Sequence, residues 1–486
     1  MSATYVLGWL LPLMAGIAVC LAANPQRVPG WRATAVGYGF FFGVLLAALF
    51  TAFVARFDMA QAFPIAGGCL LVLFAAAAAV AWRRRNREFP AVAESSVALS
   101  RWQWAVLSAL LLSLPLRGLI AAREIWLRPL YPWDAWSAWA VKPKTWYLLG
   151  HYVPFVSMHD WLRSASGEWH TGVAWHYPVA LGWIEVWFAS AADGWVEPLI
   201  NLPWLGLWAA LLFAHGGQWR ALGMNRVRTA LAVYALGSLP LPTVHAALAG
   251  YADLWVATAF GCAVLSWMRW LQSGEKSQLG LALVCALALP WLKLEGWVWM
   301  ACLLGAIGYG ALPVRWRWPI VCGAGVLFLL LFPFGGLRWL CLHAGLVQAD
   351  GSIATPAVGP LVLLFDLHWR DGVFTQAIES LFAQPNWHLL WWLTPVVLVW
   401  RRRALFAHEW LRLPAALIAV CVALLLFLFL FTDASRWAQS FTAINRLVLQ
   451  LTPAWVTVLA LLLRDAHLPG AARDTVPASA PHSDPA

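Results

Sequence analysis

Long apolar runs follow one another along this chain with little polar sequence between them. A helix that crosses a bilayer needs about 20 mostly apolar residues. Runs of that kind fall at 5–23, 33–55, 62–82, 104–122, 198–215, 229–250, 253–270, 277–292, 296–313, 318–335, 386–400, 413–432 and 446–463. The pattern predicts an all-α fold, a polytopic transmembrane helical bundle of about 13 spans, because in hydrocarbon a helix satisfies its own backbone. The first run lacks a charged n-region and reads as a retained helix, not a removed signal peptide. One further apolar stretch, 178–192, is short and carries Glu185. It is expected to lie at the outer interface or to be partly re-entrant.

Arginines at the ends of the runs set the expected orientation. Arg83, Arg84, Arg85 and Arg87 follow the third run, Arg220, Arg226 and Arg228 the fifth, Arg315 and Arg317 the ninth, and Arg401, Arg402 and Arg403 the eleventh. Cytoplasmic loops are enriched in Lys and Arg. One threading puts all four groups inside: N-terminus outside, C-terminus inside. Residues 1–103 then read as an N-terminal extension of three spans, and 104–463 as the main membrane module. Two sizeable loops, 123–197 and 336–385, face outward. The stretch 464–486, rich in Pro, Ala, Ser and Asp, is expected to be a disordered cytoplasmic tail. The expected location is a cell membrane, crossed many times.

Composition agrees: 62% of residues are hydrophobic and 11% charged, against about 25% charged in soluble domains. The net charge of +10 comes mainly from arginines flanking the spans, so it reports topology and implies no nucleic-acid partner. Of the 8 cysteines, seven lie inside apolar runs and Cys341 lies in an outer loop. They form neither a disulfide framework nor a metal-type spacing. Many of the 36 tryptophans fall at expected interfaces, where amphipathic rings collect. The first outer loop is denser than that belt requires, with Trp126, Trp133, Trp136, Trp139, Trp146, Trp161, Trp169 and Trp175. Such faces suit sugar rings, isoprenoid chains or plain lipid.

Ionisable residues at membrane depth are costly and tend to be functional, and here they gather at the outer side. Asp134 is either a helix cap or a carboxylate at a membrane-surface site, with Lys142 and Lys144 nearby as phosphate or headgroup binders. Glu168, His170, His176 and Tyr177 precede the short apolar stretch. Asp253 opens a span, where it suits the helix dipole. Lys293 and Glu295 occupy a very tight hairpin, as a structural pair or as part of a site. Arg436, Asn445 and Arg446 lie at or just before the last span. Arg117 and Glu185 are the ionisable candidates within the apolar segments. The simplest reading is a shared outward cavity suited to an anionic, lipid-anchored substrate.

The acidic first outer loop, the apolar segment after His176-Tyr177-Pro178, the Gly250-Tyr251-Ala252-Asp253 turn and the Lys293-Leu294-Glu295-Gly296 hairpin resemble bacterial membrane glycosyltransferases of the GT-C superfamily. The similarity is to the protein mannosyltransferase-like and aminoarabinose transferase-like group, over roughly Trp104 to Pro453. Two departures stand out: Asp134 is followed by Ala135 where that group commonly has an Asp-Glu pair, and its His-Pro-Pro feature is here His176-Tyr177-Pro178. The resemblance implies a GT-C-like fold and transfer of a sugar from a polyprenyl-phosphate donor on the periplasmic side. The acceptor is an unknown glycan, lipid or protein. It implies that Asp134 is the catalytic carboxylate, as general base or acceptor-orienting group, and that Lys293 and Glu295 lie near the donor phosphate. Lys142, Lys144, Lys293 and Arg446 would offset the charge of the leaving phosphate, and Asp366, His368 and Arg370 would cover the site. No cofactor is certain; a divalent cation between Asp134 and Asp253 is the one candidate. The alternatives are a surface-polysaccharide polymerase or ligase, a transporter or flippase of a lipid-linked sugar, and a non-catalytic assembly partner.

Overall fold

The computed structural model describes residues 2–24, 28–84, 99–164, 167–331, 353–355, 359–361, 369–432, 434–441 and 443–464. Arg85, Arg87, Cys341, Asp366, His368 and the tail from 465 onward lie outside the described residues. The described chain is almost wholly helical. Its strands are a short parallel pairing of Phe155–Val156 with His170–Thr171 and an antiparallel one of Ile353–Thr355 with Gly359–Leu361.

Each expected span overlaps helix among the described residues. Among the described residues, eight helices are long and apolar enough to cross a membrane: α1 (Ala3–Ala23), α2 (Trp31–Val54), α3 (Ala62–Arg84) and α4 (Arg101–Leu127) early in the chain, then Glu197–Ala221, Asp253–Ser273, Glu409–Phe431 and Ile444–Leu462. After α4 come α5 (Val141–Leu149), α6 (Ala180–Ala192), α7 (Glu197–Ala221), α8 (Arg226–Gly237) and α9 (Asp253–Ser273). Next are α10 (Lys276–Leu292), α11 (Gly296–Ala311), α12 (Val314–Leu331), α13 (Leu390–Trp400), α14 (Glu409–Phe431) and α15 (Ile444–Leu462). A ninth crossing is possible where α8 continues, after a 64° bend, into Pro240–Leu248. The other expected spans are short or end where the description stops. The 17 residues of α10 and 16 of α11 reach only about 25 Å at 1.5 Å per residue, less than the roughly 30 Å of a hydrocarbon core. The 11 residues of α13 reach about 16 Å. These helices and lengths fit a multi-pass membrane protein.

Helix starts follow local chemistry. The Ser100 hydroxyl accepts from the Gln103 N–H while the Gln103 side chain accepts from the Ser100 N–H, a capping box at α4. Asn225 caps α8 in the same sense.

The stretch Ala180–Ala192 forms α6, which is buried along nearly all its length, packed among α1, α2, α5 and α7. Apart from Glu185 and Ser190 its residues are apolar on every face, which is the pattern of an enclosed helix. The first three helices pack into the same bundle. α2 packs against α6 and α7, and its Tyr38 hydroxyl donates to the Cys262 carbonyl of α9 at 2.9 Å, so the first helices share the common core.

The basic helix ends gather at one end of the bundle. Arg84 donates to the Ala22 carbonyl at the end of α1, Arg401 to Leu462 at the end of α15, and Arg464 to Leu222 beyond α7. Arg269, near the end of α9, pairs with Glu275 at 2.9 Å. The opposite end carries the starts of α9, α11 and α15, and there Asp134, Asp253, Lys293, Glu295 and Arg446 meet.

Candidate functional site

The site is built on helix ends. α9 begins with Asp253, α15 places Arg446 in its first turn, and the α10–α11 hairpin presents Lys293 and Glu295. The hairpin is tight because Gly296 has no side chain: a methyl there would land on the Leu289 carbonyl. Asp134 enters from the segment after α4, at the head of a π-helical turn, Ala135–Trp139. Gly250, with φ +58, lets the chain turn into α9; a Cβ there would meet Leu130 and lie 3.2 Å from the Cβ of Ala135.

These parts close into one network. Arg446 Nη1 donates to Asp134 Oδ2 at 2.6 Å and its Nε to Asp253 Oδ2 at 3.0 Å. Lys293 Nζ donates to Asp253 Oδ1 at 2.8 Å and lies 3.3 Å from Glu295 Oε1. Gln450 Nε2 gives Asp253 Oδ1 a further bond at 2.7 Å, and Trp299 orients the Gln450 amide by donating to its oxygen at 2.6 Å. The Arg446 guanidinium lies over the Tyr251 ring, 4.2 Å from its centroid, a cation–π contact strengthened by desolvation. Asp253 is fully enclosed while the Asp134 side chain is 43% exposed. The network therefore has a sealed floor, with the Asp134 and Glu295 carboxylates at its mouth.

Burial pulls the Lys293 ammonium down, but Asp253 and Glu295 outweigh it and hold the pKa above the usual lysine value. Burial also pushes the Tyr251 phenol up to about 12 and raises Tyr177, which lies within electrostatic reach of Lys293, Glu295, Asp134 and Arg446. Both phenols stay protonated donors near neutral pH. The Tyr177 ring rests on Trp139 at 4.9 Å.

The structure thus brings together Asp134, Asp253, Lys293, Glu295 and Arg446, with Tyr177 beside them. Other candidates are placed differently. The capping alternative for Asp134 does not hold: its backbone is already helical and its side chain makes no cap bond, because Arg446 takes the carboxylate. Lys142 is not a surface phosphate binder: it is buried, with its ammonium donating to the Trp175 and Tyr177 carbonyls at 2.8 and 2.9 Å. Burial lowers its pKa to about 8. Lys142 thereby pins the segment that carries His176 and Tyr177. The same burial, with Lys142 close by, lowers the His176 imidazole. Lys144 faces Glu197 at 3.9 Å, on a cavity whose lining holds none of the cluster residues. Glu168 precedes the small parallel pairing, where the His170 ring stacks on Phe155. Asn445 binds Gln384 and accepts from Trp387, and Arg436 lies over Trp437. Of the loop tryptophans, Trp139 and Trp146 are core residues, whereas Trp126, Trp133, Trp136, Trp161 and Trp169 are exposed.

The place suggested for a divalent cation, between Asp134 and Asp253, is taken by the Arg446 guanidinium, which bonds both carboxylates. The residues present do not fit a metal there. Among the described residues no group of three metal-type ligands occurs elsewhere.

Gln450 and Tyr251 were missed as site residues. Gln450 follows Arg446 by four positions, so the two share one helix face; a polar pair at that spacing inside an apolar run was the available signal. Also missed was a second buried polar group around Gln218, which bonds Tyr38, Gln278 and Arg269 at 3.2, 3.2 and 3.3 Å.

No protein-family profile matches this chain, and no curated protein or solved structure matches it either.

Proposed function

We propose that the chain is a membrane glycosyltransferase of GT-C-like architecture, with about 13 membrane segments, that moves a sugar from a polyprenyl-phosphate donor to an acceptor at the periplasmic face. The observation that carries this reading is the half-exposed Asp134 carboxylate held by Arg446 above a sealed Asp253–Lys293–Gln450 floor. A carboxylate fixed at the mouth of a membrane-embedded site suits a general base or an acceptor-orienting group. Asp134 takes the acceptor hydroxyl proton as the acceptor oxygen bonds to the anomeric carbon. The bond from that carbon to the phosphate oxygen breaks, and polyprenyl phosphate leaves.

The charge balance refines the roles of the cations. Asp134, Asp253 and Glu295 face Lys293 and Arg446, so the cluster carries one net negative charge. Lys293 and Arg446 first of all hold the carboxylates in place. A donor phosphate gains Lys293 by competing with Glu295, its longer and more exposed contact at 3.3 Å. Lys142 has no part in this scheme, and Lys144 none at the cluster.

The test is an assay of purified protein in vesicles with a polyprenyl-phosphate sugar and a membrane extract as acceptor source. Release of polyprenyl phosphate, lost in Asp134→Asn, is the expected result. A donor that crosses the vesicle membrane intact would instead favour a transporter. That second reading draws on Gln218, Arg269 and Tyr38, buried toward the other end of α9, since intramembrane ionisable groups also mark transport paths.

A further inference from the structure

Apart from the cluster, α5, α6 and the start of α7 line a partly open cavity of about 310 Å3. That is the low end of the volumes of small-molecule sites. Glu185 lines it from α6. The residue is 1% exposed, and neither carboxylate oxygen has a hydrogen-bond partner among the described residues. A buried carboxylate without donors is expensive, and α6 offers its own apolar side chains no remedy. Glu197 lines the same cavity, with Oε2 accepting from the Leu130 N–H at 3.3 Å and Oε1 loosely paired to Lys144 at 3.9 Å. Trp136 and Trp195 supply aromatic wall.

Two features fix the chemistry of a ligand. The ionisable groups in the lining are Glu185, Glu197 and Lys144; burial favours the protonated Glu185 acid, and a single positive charge placed beside it would let it ionise. The orphaned oxygens are acceptors, so that charge must bring N–H donors; a quaternary ammonium has none. Indole faces stabilise a cation in the same space. We propose that this cavity binds a primary ammonium group, presented by a small amine or by the headgroup of an amine-bearing lipid. The inference does not depend on glycosyl transfer.

The full-length protein, purified in dodecyl maltoside and phosphate buffer, is exposed to dicyclohexylcarbodiimide, and modification of Glu185 is followed by peptide mass. Ethanolamine at ten times its Kd should slow modification about tenfold, in proportion to the free site, while ethylene glycol, choline and sodium leave it unchanged. Nanodiscs of phosphatidylethanolamine that protect Glu185 without added amine, where phosphatidylcholine does not, identify the lipid as source; protection by the free amine alone identifies a small molecule. Equal modification under all conditions, or equal protection by the diol, choline or sodium, overturns the proposal. Ethanolamine should also raise the melting temperature of wild type and not of Glu185→Gln; an unchanged rise in that variant overturns it as well. Should Glu185→Gln not fold, the protection series on wild type decides alone.

Discussion

Asp134 and Asp253 share one arginine, yet their environments make opposite predictions. Asp253 is enclosed and holds Lys293, Arg446 and Gln450 at once. Removing one partner of a buried ion pair leaves uncompensated charge and costs about 3–5 kcal/mol. Asp253→Asn should therefore lower membrane yield and the denaturation midpoint by an amount in that range; a midpoint within about 0.5 kcal/mol of wild type would mean the floor is not a structural network. Asp134 is half exposed and meets only Arg446, which keeps Asp253 when Asp134 is replaced. Asp134→Asn should leave stability near wild type and reduce product formation by roughly 10²–10⁴-fold, the range for general acid–base catalysis. Product formation within a few-fold of wild type removes Asp134 from the mechanism. The chain made these residues visible because charge is rare in it: acidic and basic groups at apolar run ends stand out in sequence. What stayed hidden was pairing. Nothing in the spacing of Asp134 and Arg446, 312 positions apart, shows that they touch, and nothing near Lys142 shows that two carbonyls take its protons.

At the scale of elements, the α10–α11 hairpin controls where Lys293 and Glu295 sit. A methyl at Gly296 would strike backbone, the Leu289 carbonyl and the Pro290 nitrogen, and backbone yields less readily than a side chain. Gly296→Ala should open the hairpin, cost about 1–3 kcal/mol of stability and weaken the Lys293–Asp253 contact. The check is the melting temperature together with activity at limiting donor. If both stay at wild-type values, the hairpin does not position Lys293. Apolar run length located helices well in this chain, since hydrophobicity and backbone satisfaction act locally. The runs 277–292 and 386–400 are themselves shorter than the roughly 20 residues of a crossing, and α10 and α13 are short of one too. Run length could not place Ala180–Ala192, whose burial depends on α1, α2 and α7 closing around it.

Across the whole molecule, two polar ends oppose one another. One holds Arg84, Arg401 and Arg464, each bound to a carbonyl at the end of a neighbouring element; the other holds the Asp134–Arg446–Asp253–Lys293 network. Arginines that flank apolar runs tend to retain a loop in the cytoplasm during insertion, and we propose that orientation for the first end. The network end would then face the opposite compartment, where the Asp134 carboxylate would meet acceptors outside the cell membrane. The orientation is decided by export. Alkaline phosphatase fused after Ser164 should be active, and the same enzyme fused after Arg84 inactive, because it folds only once exported. The converse pattern would place Asp134 in the cytoplasm. A periplasmic acceptor could not then reach it, and the glycosyltransferase reading would fail on topology whatever the geometry of the cluster. The two fusions are independent of catalysis, so they test the side of the membrane separately from the Asp134 chemistry.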